Sequence, residues 1–271
     1  MNKQTQIFLT LIFSLIAISP AFSKSNSTNK NLSPNTARYK IQTNQCDTDV
    51  IASSPQKLLS LKNKKNLYII QLEVTDCTGN INAVQFDKTT PINEYLLPTE
   101  LIDFENPLIK ELSQKLSLDK MTPVQKAKTA LMFTKSAIQY DNELAHQISL
   151  GTCNGRSASE TLAKGQGTCG EYTNVFIALM RLNKIPCKFI TGIYINPQAF
   201  NSKKQTNKTP NLTLHAWAEF YDSGLGWISC DPQAGFLGTT KNHVKLLEGS
   251  DFTNCGADFS NLYLDVSALS Y

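Results

Sequence analysis

The 271-residue sequence has no dense Lys/Arg block, and its formal net charge is only +4. This excludes the basic footprint of a nucleic-acid-binding surface. No apolar run reaches the ~20 residues that a membrane-spanning helix needs. None of the seven cysteines (46, 77, 153, 169, 187, 230 and 255) forms a C-x-x-C spacing, so a zinc or thioredoxin-like site has no support. There is no D-x-D-x-D-G loop, which removes the simplest calcium site but leaves open one assembled from distant residues. No internal repeat is present. What remains is a globular composition, 41% hydrophobic and 18% charged, in a chain long enough for one or two domains with a real core.

The N-terminus reads as a targeting segment. Lys3 precedes an apolar run from Ile7 to Ile18, and Ala21-Phe22-Ser23 offers small residues for cleavage. Residues 1–23 are therefore expected to be a signal peptide, with the mature chain starting near Lys24. The expected location is secreted, periplasmic or extracellular, with no stable membrane insertion after cleavage. Residues 24–37, rich in Asn and Ser, read as a flexible leader. Export permits disulfides, and an odd cysteine count leaves at least one thiol unpaired.

The rest divides into a small β-rich domain or extension over residues 38–97 and a second, larger domain over residues 98–271. In the first, Leu67 to Val74 has strand composition, Cys77-Thr78-Gly79-Asn80 signals a turn, and Ile81 to Phe86 is expected as the partner strand. Cys46 and Cys77 are its only cysteines and its natural disulfide pair. In the second, a helix is expected over Leu108 to Leu116. Another opens at Thr122-Pro123 and runs to about Tyr140-Asp141. Ser157-Ala158-Ser159-Glu160 and Thr168-Cys169-Gly170-Glu171 are capping boxes for two more helices, ending at Gly165 and near Asn183. The hydrophobic period then changes to two, with strands over Cys187 to Ile195, Thr213 to Tyr221 and Trp227 to Asp231, and a polar loop over residues 196–211. Helices followed by an antiparallel sheet make an α+β layout.

Cys169 stands apart from the other cysteines. With Thr168 as N-cap it is the first residue of its helix, facing the positive end of the dipole and unpaired N–H groups, which favours thiolate. Gly167 and Gly170 flank it with little bulk, leaving room for a substrate, and the helical N–H groups are candidate oxyanion donors. Local features alone fit a structural cysteine at a helix start equally well. The hairpin adds a base. If Tyr221 pairs with Leu225, His215 falls directly opposite Asp231, and a register shifted by two residues still leaves them diagonal neighbours. Trp217 lies on the same face, either shaping a cleft or packing. His146 and His243 sit in polar surroundings and are expected at the surface, and Arg181 is expected to support its helix end.

Four blocks then stand in order: Gly165 to Tyr172, Arg181 to Pro186, His215-Ala216-Trp217-Ala218-Glu219, and Gly226 to Pro232. With Ala137 to Asp141 upstream, the sequence over about residues 100–235 resembles the transglutaminase-like superfamily. The resemblance implies a papain-like core of helices packed on an antiparallel sheet. It also implies a Cys169-His215-Asp231 triad and a peptide or protein substrate, with no metal or other cofactor in catalysis. Cys187 and Cys230 depart from the family pattern; they are expected to pair under the sheet, and Cys153 with Cys255, which would leave Cys169 free. Three functions follow. In a peptidase or amidase, water resolves the acyl-thioester. In a protein-glutamine transglutaminase, an amine does. The third is a non-catalytic binding module on the same scaffold.

Overall fold

Strand β1 (Thr36–Thr43) and strand β3 (Leu67–Thr75) bury alternate residues, the pattern of a sheet with one wet face. A computed structural model describes residues 35–82, 84–89, 93–196, 212–257 and 261–269. The proposed signal peptide, most of the leader and most of the 196–211 loop lie outside these residues. Between β1 and β3 come the short helix α1 (Thr48–Ala52), capped by Asp47, and strand β2 (Gln56–Lys64). β2, not Ile81 to Phe86, is the hairpin partner of β3. The turn residues Lys65 and Asn66 both have positive φ, which matches the twist of a two-residue hairpin. β2 was missed because it is a largely exposed, lysine-bearing strand at the sheet edge, without the apolar alternation that marks a half-buried one.

The sheet order is β11-β1-β3-β2, and its far edge, β11 (Leu264–Ala268), comes from the other end of the described chain. Ile41, Ile70, Leu72, Val74 and Val266 of this sheet share one apolar cluster with Ile193, Ile195, Val244 and Leu246 of the second sheet.

Five further helices follow. They are α2 (Pro107–Lys115), α3 (Pro123–Ala137), α4 (Asn142–Ser149), α5 (Ala158–Lys164) and α6 (Cys169–Leu182). α3 ends at Ala137, earlier than expected. Gln139–Tyr140 (β4) instead pairs in parallel with Gln166–Gly167 (β5), which delivers Tyr140 to the start of α6. Every residue of α6 from Glu171 to Arg181 is buried, so it is the central helix of the core. Arg181 donates to the carbonyls of Leu97, Cys187 and Ser250 and so fastens the end of α6 to its surroundings.

The second sheet runs β10-β6-β7-β8-β9, from β6 (Cys187–Ile195), β7 (Leu212–Asp222), β8 (Gly226–Asp231), β9 (Phe236–Leu237) and β10 (His243–Gly249). Phe176 of α6 meets Phe220 of β7 edge-on at 6.4 Å between centroids. The architecture is α+β, a helical layer on an antiparallel sheet preceded by N-terminal strands. No described helix is long and apolar enough to cross a membrane.

The disulfide expectations fail: all seven cysteines are free. Cys187 and Cys230 lie on β6 and β8 with β7 between them, roughly 10 Å apart at two strand spacings, beyond the reach of a disulfide. Cys46 packs against the N-terminal cluster, whereas Cys77 hydrogen-bonds Thr239. Cys153 accepts from Gly155 N, and Cys255 faces the carbonyl of Phe189.

Candidate active site

Thr168 caps α6 through a reciprocal box. Its hydroxyl accepts from Gly170 N at 3.3 Å, and Glu171 Oε2 accepts from Thr168 N at 2.7 Å. Cys169 therefore begins the helix, half-buried at its N-terminus. The other carboxylate oxygen of Glu171 accepts from Arg156 N at 3.0 Å, holding the 153–156 segment against α6. Two expectations change here. The space beside Gly167 is filled by Glu171, whose Cβ a side chain at 167 would meet at 2.3 Å, so this glycine serves the cap rather than a substrate. The Gly170 N–H is engaged by Thr168 and is not a spare oxyanion donor.

On β7, His215 lies opposite Gly192 of β6. The β7–β8 register pairs Asp222 with Gly226 and Tyr221 with Trp227, two residues away from the expected pairing of Tyr221 with Leu225. The turn is set by Asp222, whose Oδ1 accepts from Gly224 N and Leu225 N, and by Gly226 at φ +99°. His215 and Asp231 are consequently diagonal rather than opposed. They still meet, with His215 Nε2 2.9 Å from Asp231 Oδ2. α3 steadies this end of β8, because Thr134 Oγ1 donates to the Pro232 carbonyl at 3.0 Å.

The electrostatics of the pair follow from its contacts. Burial opposes charge on His215, but hydrogen bonds to Asp231 and to Cys169 outweigh it and raise its pKa to about 10. Burial likewise opposes charge on Asp231, and hydrogen bonds from His215 and His243 reverse the effect, holding its carboxyl far below the usual range. Tyr140, pushed up mainly by burial, also feels Cys169.

His243 is not at the surface. It is 2% exposed at the start of β10, and its Nε2 lies 3.2 Å from Asp231 Oδ2. Its ring stands edge-on to Tyr194 at 5.1 Å and to Trp217 at 5.4 Å. Trp217, 1% exposed, packs beside both histidines, and its Nε1 is buried without a hydrogen-bond partner. The polar-apolar alternation of His243-Val244-Lys245-Leu246 was the available signal for a strand there. His146, by contrast, is exposed on α4, as expected.

His215, Asp231 and His243 place three donor atoms within 4.8 Å of one another, a spacing a small cation could use. The proton arrangement opposes it. Thr240 N points at His243 Nδ1 at 3.2 Å. A backbone N–H only donates, so Nδ1 is an acceptor and the proton sits on Nε2, the atom that would have to ligate.

Residues 110–232 match the transglutaminase-like superfamily. This part of the chain belongs to that superfamily. Likeness of fold to a solved structure extends over more of the chain. A candidate cysteine protease from Cytophaga hutchinsonii aligns at a TM-score of 0.53 and 17% identity, covering 88% of this chain and 92% of that one. An uncharacterized Haemophilus influenzae protein is 28% identical over 153 residues, 52% of this chain and 39% of that protein. Bacillus subtilis YebA, also uncharacterized, is 24% identical over 94 residues, 34% of this chain and 12% of its own length. The chain thus spans well under two thirds of these curated relatives.

Proposed function

We propose that this transglutaminase-like protein is a thiol enzyme that hydrolyses amide bonds in peptides or proteins, with Cys169 as nucleophile, His215 as acid–base and Asp231 as its orienter. One observation carries the reading. His215 is bonded to Asp231 through one ring nitrogen and to Cys169 as well, and the two together keep its imidazole protonated against burial. An imidazolium beside a thiol at a helix N-terminus stabilises thiolate, the attacking form.

In this reading Cys169 Sγ adds to the amide carbonyl carbon, His215 gives its proton to the departing nitrogen, and the C–N bond breaks to leave an acyl-thioester. Water then attacks that carbonyl and passes a proton to His215. The C–S bond breaks, releasing the acid and restoring thiolate and imidazolium. Asp231 holds the imidazole in one orientation throughout. Water is the proposed acceptor because it needs no binding site of its own, whereas an amine acceptor would. Export, to a periplasmic or extracellular location, is proposed on the Lys3 and Ile7 to Ile18 pattern alone.

The test is to incubate the chain from Lys24 onward with a peptide library, with and without amine donors, and read products by mass spectrometry. Hydrolysed peptides that vanish with Cys169→Ala support the proposal. Amine-linked products would establish the transglutaminase reading in its place. Full activity in Cys169→Ala would overturn both, and the absence of any product from the wild type would leave the binding-module reading.

A further inference from the structure

Asp231 accepts four hydrogen bonds. Gln233 N and Ala234 N both reach Oδ1 at 3.0 Å. Oδ2 receives His215 Nε2 at 2.9 Å and His243 Nε2 at 3.2 Å. An ionised carboxylate offers about two lone-pair sites per oxygen, so this one is fully occupied. The first two bonds fix the carboxylate to its own turn. The fourth takes the second site on Oδ2 and leaves His215 a single line of approach.

His243 is in turn fixed from every side. Thr240 N donates to Nδ1 at 3.2 Å, and Thr240 Oγ1 lies 2.8 Å from the same atom. Tyr194 of β6 and Trp217 of β7 enclose the ring. The ring reaches Asp231 across two intervening strands, and Gly192 of β6 lets the β10 backbone and the Trp217 ring close in over that stretch. A Cβ there would lie 2.1 Å from Val244 O and 2.7 Å from Trp217 Cη2.

We infer that His243 is a positioning residue, a neutral imidazole that donates its Nε2 proton to Asp231 Oδ2 and thereby fixes the oxygen that orients His215. This rests on the thiol-enzyme reading for its consequence, though not for its geometry. The titratable groups facing Asp231 are His215 from β7 and His243 from β10, with Cys169 of α6 beyond His215. Removing the His243 donor leaves the carboxylate less firmly ionised and opens the second site on Oδ2, so His215 loses its single line of approach and the imidazolium–thiolate pair weakens. Misplacement of this kind costs up to about 100-fold in rate.

The experiment compares the wild type with His243→Phe, which keeps the ring and loses the donor, and His243→Gln, whose amide can return an N–H to the same place. Iodoacetamide labelling at Cys169, read by mass spectrometry across pH, is expected to shift its midpoint to higher pH in His243→Phe. It should return toward the wild type in His243→Gln, with kcat following the same order and KM little changed. Equal losses in both variants with an unmoved labelling profile would reduce His243 to a packing residue, and unaltered kcat and labelling in His243→Phe would overturn the inference. Nitrogen NMR of labelled histidine tests the geometry without any substrate. The expected His243 signals are an unprotonated Nδ1 and a protonated Nε2 at neutral pH, and the opposite tautomer would overturn the inference. Should wild-type Cys169 react no faster than a free thiol, the thiol-enzyme reading falls, and the NMR result still decides the role of His243.

Discussion

Two polar clusters are built from the same three strands. His215 of β7, Asp231 of β8 and His243 of β10 form one. Glu219 of β7, Ser229 of β8 and Lys245 of β10 form the other, a few residues along. In the second, Lys245 Nζ spends its donors on Glu219 Oε1 at 2.8 Å, Ser53 Oγ at 2.7 Å and the Ser54 carbonyl at 2.7 Å. Ser229 Oγ adds a bond to the same Glu219 oxygen. Both charges are almost wholly buried, and every donor of the ammonium is taken. In the first cluster one ring nitrogen of His215 is left to face Cys169. The same strand positions thus give a closed network that braces the fold and an open one with a proton to trade. What separates them is a free valence at the edge of the cluster, since acids and bases are present in both.

Breaking the open cluster should have the largest effect. Asp231→Asn puts an amide where Oδ2 accepts two protons, and the imidazole loses its orientation. We expect activity on the best peptide substrate to fall by about three to four orders of magnitude, with a Tm below that of the wild type at neutral pH, where the pair's contribution to stability is nearly complete. A loss below tenfold would remove Asp231 from the chemistry.

Breaking the closed cluster should cost stability instead. Lys245→Met leaves Glu219 buried without its partner, worth about 3–5 kcal/mol by urea unfolding. The double variant with Glu219→Leu should recover much of this, because a buried ion pair is often replaceable by apolar groups. Failure of the rescue would mean the pair does more than cancel its own charges.

The clusters should also part in their response to pH. The folded pKa of His215 is raised, so its contribution to stability is complete below about 6.5, the unfolded value, and is lost as pH rises toward about 10. That of Asp231 is lowered, so its contribution is complete above about 3.9 and is lost as pH falls through its depressed folded value. Between pH 7 and 10 the wild type should lose Tm more steeply than Asp231→Asn. Parallel profiles would show that the pair does not couple to folding. The smallest change is expected from Glu171→Gln, which weakens the α6 cap and the tie to Arg156 by about 1–2 kcal/mol in urea unfolding.

The start of α6 was legible in the sequence because a capping box is local: Thr168 and Glu171 are three residues apart and satisfy one another. The meeting of His215 and Asp231 was legible from strand parity, which survives a register error of two. The register itself was not, because Asp222 and Gly226 set the turn, and Gly226 is held where a Cβ would lie 2.3 Å from the Asp87 carbonyl, a long-range contact. His243 was misplaced for the same kind of reason. Its burial depends on β10 lying beside β6 and on the missing side chain of Gly192, and no local pattern encodes either. The cysteines misled because an odd count in a chain read as exported suggests pairing, whereas strand order places β7 between two of them.

β1 has neighbours at very different sequence distances. β3 follows after a short stretch and β11 only after the whole second sheet. Closing so long a loop adds little to its entropic cost, which grows with the logarithm of length, yet such pairings form late. A chain folding from its N-terminus would therefore hold β1 with one side unpaired until β11 arrives. During that interval its exposed backbone could be paired by another copy. The yield of folded protein should then depend on how quickly residues 264–268 are delivered, a matter of biogenesis rather than of the finished molecule.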